Sequence, residues 1–202
     1  TFGWDLTFYP AGTALLLNVP VASGQQQQYV MNTVTKAWCR FPGRWPANCF
    51  EVFNSELYFG TAGEVRKAWT GTADVDAAIV GEMIPAYDYL GTRNSEKHFK
   101  LVRPVIGWDA NPTEIRIGLD LDFISREPAS IITLPAAANS ALIWDTGLWD
   151  VNVWGGSVGT SKEWYSAEGV GYAVALHMKV TSTQATVHLS EIAYVFEAGG
   201  VL

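Results

Sequence analysis

Charge is scarce in this chain. Only 16% of its 202 residues are Asp, Glu, Lys or Arg, against 49% hydrophobic, and that much apolar material offsets the entropy of ordering, which argues against disorder. Positive charge is scarcer still: 13 Lys and Arg against 20 Asp and Glu leave a formal charge of -7. A surface of that sign repels phosphate and argues against nucleic-acid binding by counterion release, although a wall that merely lets DNA pass is compatible with it. No apolar run reaches the ~20 residues that cross a bilayer. No charged-then-apolar leader opens the chain.

Cysteine is nearly absent too. Cys39 and Cys49 are the only two, and no histidine precedes His98, so they cannot complete a tetrahedral zinc site. The expectation is two free, buried thiols, with a disulfide between them as the alternative.

What the chain has is glycine, proline and aromatic residues between short apolar bursts, the composition of many strands and many turns. Residues 4 to 70 divide into "LTFYP", "ALLLNVPV", "QQYVMN", "AWCRF", "CFEVFN", "LYFGT" and "EVRKAW". The breaks carry Gly, Pro, Asn, Ser or Thr, and connections this short permit only antiparallel meanders. The pattern loosens over 71–91, where a short helix at 74–81 is allowed and a domain boundary is expected near residue 83. Beyond it lie "HFKLVRPVIGW", "EIRIGLDLDF", "ALIWDTGLWD", "GYAVALHMKV" and "ATVHLSEIAYVFE". In "RIGLDLDF", Ile117, Leu119, Leu121 and Phe123 alternate with Arg116, Gly118, Asp120 and Asp122, which predicts one face in a core and an acidic pair in water. Two such faces packed together make a sandwich. The expected fold is therefore all-β: a partial β-propeller over 1–83, about one blade plus flanking strands, then an antiparallel β-sandwich over 84–202.

The blade is expected at 29–32, 37–41, 48–53 and 57–60, with Trp38 as its packing anchor after the turn at 33–36. A closed propeller needs at least ~4 blades, yet "YVMNTVTKAWCRF" has no second copy here. Together with a strand-rich start at Thr1 and no initiator Met, this leads us to expect the remaining blades upstream of Thr1 or on other chains.

The strings "QYVMNTVTKAWCRFPGRWPANCFEVFNSELYFGTAGEVRKA", "AYDYLGTRNSEKHFKLVRPV", "ALIWDTGLWDVNVWGG" and "YVFEAGGVL" resemble the C-terminal part of tail hub or nozzle proteins of tailed bacteriophages, the packaged-DNA stabilisation or tail tubular type. The resemblance runs over nearly the whole chain. It implies a non-enzymatic virion component of the tail, assembled in the bacterial host cytoplasm. Copies would form a ring, a hexamer by that likeness, between portal-proximal adaptor and distal tail proteins. The ring would continue the DNA conduit and retain the genome without gripping the passing duplex. No catalytic, cofactor or metal residues come with the resemblance.

Other chemistries compete with plainer explanations of the same residues. Glycoside cleavage needs two carboxylates ~5–9.5 Å apart; Asp120 and Asp122 qualify by spacing, but a solvated strand face explains them. A sialidase-like propeller needs an arginine cluster, whereas Arg40, Arg44, Arg66, Arg93 and Arg103 are scattered; a glycosidase with its catalytic residues outside this chain stays open. No "GxSxG" elbow or "GxxxxGK" loop occurs, and His98, His177 and His188 sit in strand-like runs. The densest unusual feature is Trp144, Trp149, Trp154 and Trp164. With Trp38 they are the candidates for core packing or subunit contact, and a glycan-binding face of a receptor module is the alternative.

Overall fold

The computed structural model describes residues 3–41, 47–74, 77–109, 114–134 and 159–199. Trp144, Trp149 and Trp154 lie outside the described residues, as does the expected strand "ALIWDTGLWD". The described residues are all-β, with every strand pairing antiparallel. The chain divides into two compact units, Thr1–Gly71 and Thr72–Leu202.

In the first unit, β1 (Asp5–Tyr9), β2 (Ala14–Ala22), β3 (Gln25–Asn32) and β4 (Trp38–Phe41) form a meander in sequence order. β5 (Cys49–Phe53), β6 (Glu56–Gly60) and β7 (Val65–Lys67) form a second sheet. The expected four-stranded grouping over 29–60 is corrected by this topology, because β4 pairs only with β3 and β5 with β6. The inner rows of the two sheets meet in one core of Ala14, Leu16, Val30, Phe50, Leu57, Phe59 and Ala68. Polar groups stitch the layers: Asp5 Oδ2 accepts Phe50 N–H at 2.7 Å, and Asn18 Nδ2 donates to Ala47 O at 2.9 Å. Gln28 Nε2 donates to Asn18 Oδ1 at 2.8 Å, so neither buried amide is left unpaired. The turn after β3 is an Asx-type turn, Asn32 Oδ1 accepting from Val34 N and Thr35 N. The β5–β6 hairpin turns on Asn54 and Ser55, both at positive φ, as the tightest hairpins require.

The second unit begins earlier than residue 83. β8 (Ile79–Met83) pairs with β14 (Val174–Ser182), so the segment expected to close the first domain belongs to the second. No helix forms at 74–81: Asp74 and Ala77 make an isolated β-bridge and β8 starts at Ile79. One sheet runs β11 (Ser130–Ile132), β10 (Glu114–Leu121), β14, β8. The other is centred on β9 (Lys97–Trp108), which pairs with β15 (Val187–Ala198) and with both β12 (Gly159–Ser161) and β13 (Tyr165–Gly171). Val102, Ile106 and Trp108 from β9 meet Ile115, Ile117, Ile132, Leu176 and Met178 from the first sheet in one apolar core. Period-two alternation on β9 and β10 carries these side chains to a single face. Lys97 is almost fully buried, its ammonium donating to the carbonyls of Thr92, Ser95 and Tyr172, which satisfies all three of its protons.

Candidate functional site

The register of the first sheet defines its two faces. Leu16 and Val30 share an inner row with Thr7 and Cys39. The opposite face carries two rows, Leu6–Leu17–Tyr29–Arg40 and Phe8–Leu15–Met31–Trp38. Seven of those eight side chains are apolar or aromatic, and the strand ends stand well clear of the unit: Leu6 is 61% exposed, Phe8 56% and Trp38 52%. A contiguous apolar sheet face open to solvent marks a contact surface. The outward row of the other sheet is polar by contrast, with Glu56 paired to Lys67 and bonded by Tyr58. The ammonium of Lys67 holds the Glu56 carboxyl below its usual range. The centre of that face is polar, while Phe53 and Val65 stand exposed at its margins.

Trp38 thus sits on this outward face, 52% exposed, and not in the core of its unit. The β4 edge turns its ring away from Phe50 and Leu57. Trp164 stands elsewhere, 43% exposed on the stretch before β13, with the Arg103 guanidinium 4.9 Å from its ring centre. Arg103 also lies 3.5 Å from Glu191. Among the described residues the tryptophan in the second core is Trp108, 2% exposed; its signal in the sequence is the alternation Val102, Pro104, Ile106, Trp108 on "HFKLVRPVIGW". Gly159 is needed against it, since a Cβ there would sit 2.3 Å from the indole.

The acidic pair does not face water together. Asp120 is fully buried, because residues 122–129 fold back over its side of β10, where a Cβ on Gly118 would sit 3.1 Å from Pro128 Cα. Its Oδ1 accepts Arg126 N–H at 2.9 Å. Asp122 lies beyond the end of β10 at positive φ, so the alternation has ended there, and its Oδ1 accepts from Tyr172 N at 2.8 Å and Ala173 N at 3.0 Å. Both carboxylates are anchors for turns. The same break puts Phe123 outside the core, 65% exposed, against Tyr87.

Cys39 and Cys49 are free, as expected, and exposed, which corrects the expectation of burial. Both sit on strands that begin or end their sheets. Partial cover around its Sγ still pushes the Cys39 thiol up. His98 and His188 are exposed; His177 is buried and paired with carboxylates. Among the described residues no group of three or more His, Cys, Asp or Glu is placed to hold a metal ion, and no helix is long and apolar enough to cross a membrane. Comparisons with protein-family profiles, curated proteins and solved structures find no match.

Proposed function

We propose that this chain is a structural, non-enzymatic part of a phage tail, a hub or nozzle subunit whose copies form a ring that continues the DNA conduit. In this reading the two sheets of the first unit are successive layers of a β-propeller, and the second unit is a β-sandwich. The observation that carries it is the open apolar face of β1–β4. Propeller blades bury their faces against one another, and Phe8, Leu15, Met31 and Trp38 form a row suited to receive a further sheet. The resemblance of the quoted strings to tail hub proteins supports the same reading. The formal charge of -7 fits a conduit that lets DNA slide without holding it.

Electron microscopy of the purified protein tests this: rings with a central hole about as wide as duplex DNA are expected, and isolated monomers that bind duplex tightly at moderate salt would overturn it. A second reading, a glycan-binding receptor module, draws on Trp164. Its exposed indole, with Arg103 and Glu191 alongside, is the type of aromatic platform on which a sugar face stacks. Binding of oligosaccharides lost in Trp164→Ala would favour it.

A further inference from the structure

Three loops emerge together at one end of the second unit, where β10 ends at Leu121, β14 starts at Val174 and β9 starts at Lys97 opposite Gly171. They are the stretch between β8 and β9, the turn after β10 and the turn between β13 and β14. Between them they carry Tyr87, Tyr89, Arg93, Phe123 and Tyr172. The Phe123 ring centre lies 4.5 Å from that of Tyr87 and 6.5 Å from that of Tyr89, and the Arg93 guanidinium stands 5.0 Å over the Tyr89 ring. Even so, Phe123, Ile124 and Tyr172 all remain exposed.

Charged groups tie the loops to one another. The buried Lys97 ammonium donates to the carbonyls of Thr92, Ser95 and Tyr172, which joins the first loop to the third. Asp122 Oδ1 accepts from Tyr172 N and Ala173 N, which joins the second to the third. Asp88 Oδ1 accepts Leu90 N–H at 2.8 Å, and the Asp88 backbone bridges to Val174. The rings therefore stand on backbone that is already held, and little further ordering opposes the binding of a ligand.

The backbone is strained in the same place. Among the described residues of the second unit, the non-glycine residues at positive φ are Leu90, Asp122 and Phe123, at 47°, 51° and 65°. All three belong to these loops. Asp122 and Phe123 are the central pair of a tight turn closed by Ile124 N donating to Leu121 O at 2.9 Å, and a turn with both centres at positive φ favours Gly or Asn there. A bulky ring at the second centre opposes that preference, and Phe123 gains little burial in return. Strain of this type gathers where a ligand is held.

We propose that this end of the second unit binds a neutral sugar, with one pyranose face resting on Phe123. A pyranose presents C–H groups on its face and hydroxyls at its edge. The loops offer the complement: the open Phe123 ring for the face, and for the edge the hydroxyls of Tyr87, Tyr89 and Tyr172 and the N–H groups of Arg93. None of these polar groups has a hydrogen-bond partner among the described residues. A wholly apolar ligand leaves them unused, and an anionic one meets a chain of formal charge -7. The site shares no residue with the Trp164 platform and rests neither on that reading nor on the ring.

Retention of the full chain on an array of neutral hexose and N-acetylhexosamine oligosaccharides tests it. The wild type should retain at least one of these glycans. Phe123→Asn should weaken that retention by about tenfold, the weight of one aromatic contact, while its denaturant midpoint stays level or rises, because Asn tolerates the left-handed backbone. Arg93→Ala, at an exposed position outside the strands, should also weaken it and serves if Phe123→Asn does not fold. Trp164→Ala should bind as the wild type does. A wild type that retains no glycan, or a Phe123→Asn that retains it in full, would overturn the proposal; a loss confined to Trp164→Ala would overturn it while upholding the Trp164 platform.

Discussion

Phe8 on β1 and Trp38 on β4 stand at the two ends of one cross-strand row, Phe8–Leu15–Met31–Trp38, and each leaves more than half of its surface to solvent. On the reverse of the same sheet Leu16 is fully buried. The covered side mixes apolar Leu16 and Val30 with the buried amides of Asn18 and Gln28, whereas the open side is the more uniformly apolar of the two, the reverse of what a sheet bordering water shows.

The sidedness is open to a test on two neighbouring residues. Leu16→Ala removes a fully buried side chain and should cost about 2–5 kcal/mol in denaturant unfolding. Leu17→Ala, one residue along on the outward face, should cost less than about 1 kcal/mol in the isolated chain.

Asp122 caps two backbone N–H groups of the turn after β13. Asp122→Ala should lower stability by about 1–2 kcal/mol and raise exchange at Tyr172 and Ala173. Asp122→Asn keeps an acceptor oxygen and tolerates the left-handed backbone, so it should lose little.

Partial burial raises the Cys39 pKa, and the thiolate is the reactive form. In Cys49→Ser, alkylation of Cys39 at pH 7.5 should be slower than that of free cysteine, and should reach the same rate on unfolding.

Burial pushes the Tyr194 phenol up to about 12. Spectrophotometric titration should show one tyrosinate appearing late, and Tyr194→Phe should remove it. Because the folded value lies above the unfolded one near 10, this stability contribution is whole below about pH 10 and is lost as pH climbs through 12.

Where each strand runs was readable locally. "ALLLNVPV" and "QQYVMN" became β2 and β3 because turn residues bracket them and their apolar residues alternate. Which strands share a sheet was not: β4 and β5 are adjacent in sequence, yet each pairs with its other neighbour, and only the core contact between Leu16 and the β5–β6 residues decides that. β8 escaped because a strand exposed on every residue, with Gly81 at its centre, has no alternation to show. Asp120 was read on the correct side of its strand, away from Ile117, but the loop that buries it comes from tertiary folding around Gly118. His177 could not be singled out, since its partners lie 57 and 95 residues away.

The most direct measurement of the central claim is sedimentation equilibrium of the chain beside a Phe8→Lys/Trp38→Lys double variant, with circular dichroism to confirm that both fold. Concentration-dependent association of the wild type that the double variant abolishes, with its β signal intact, is the predicted result. A wild-type chain that stays monomeric across the micromolar range, or a double variant that associates just as strongly, would contradict the assignment of the outward face of β1–β4 as a contact surface.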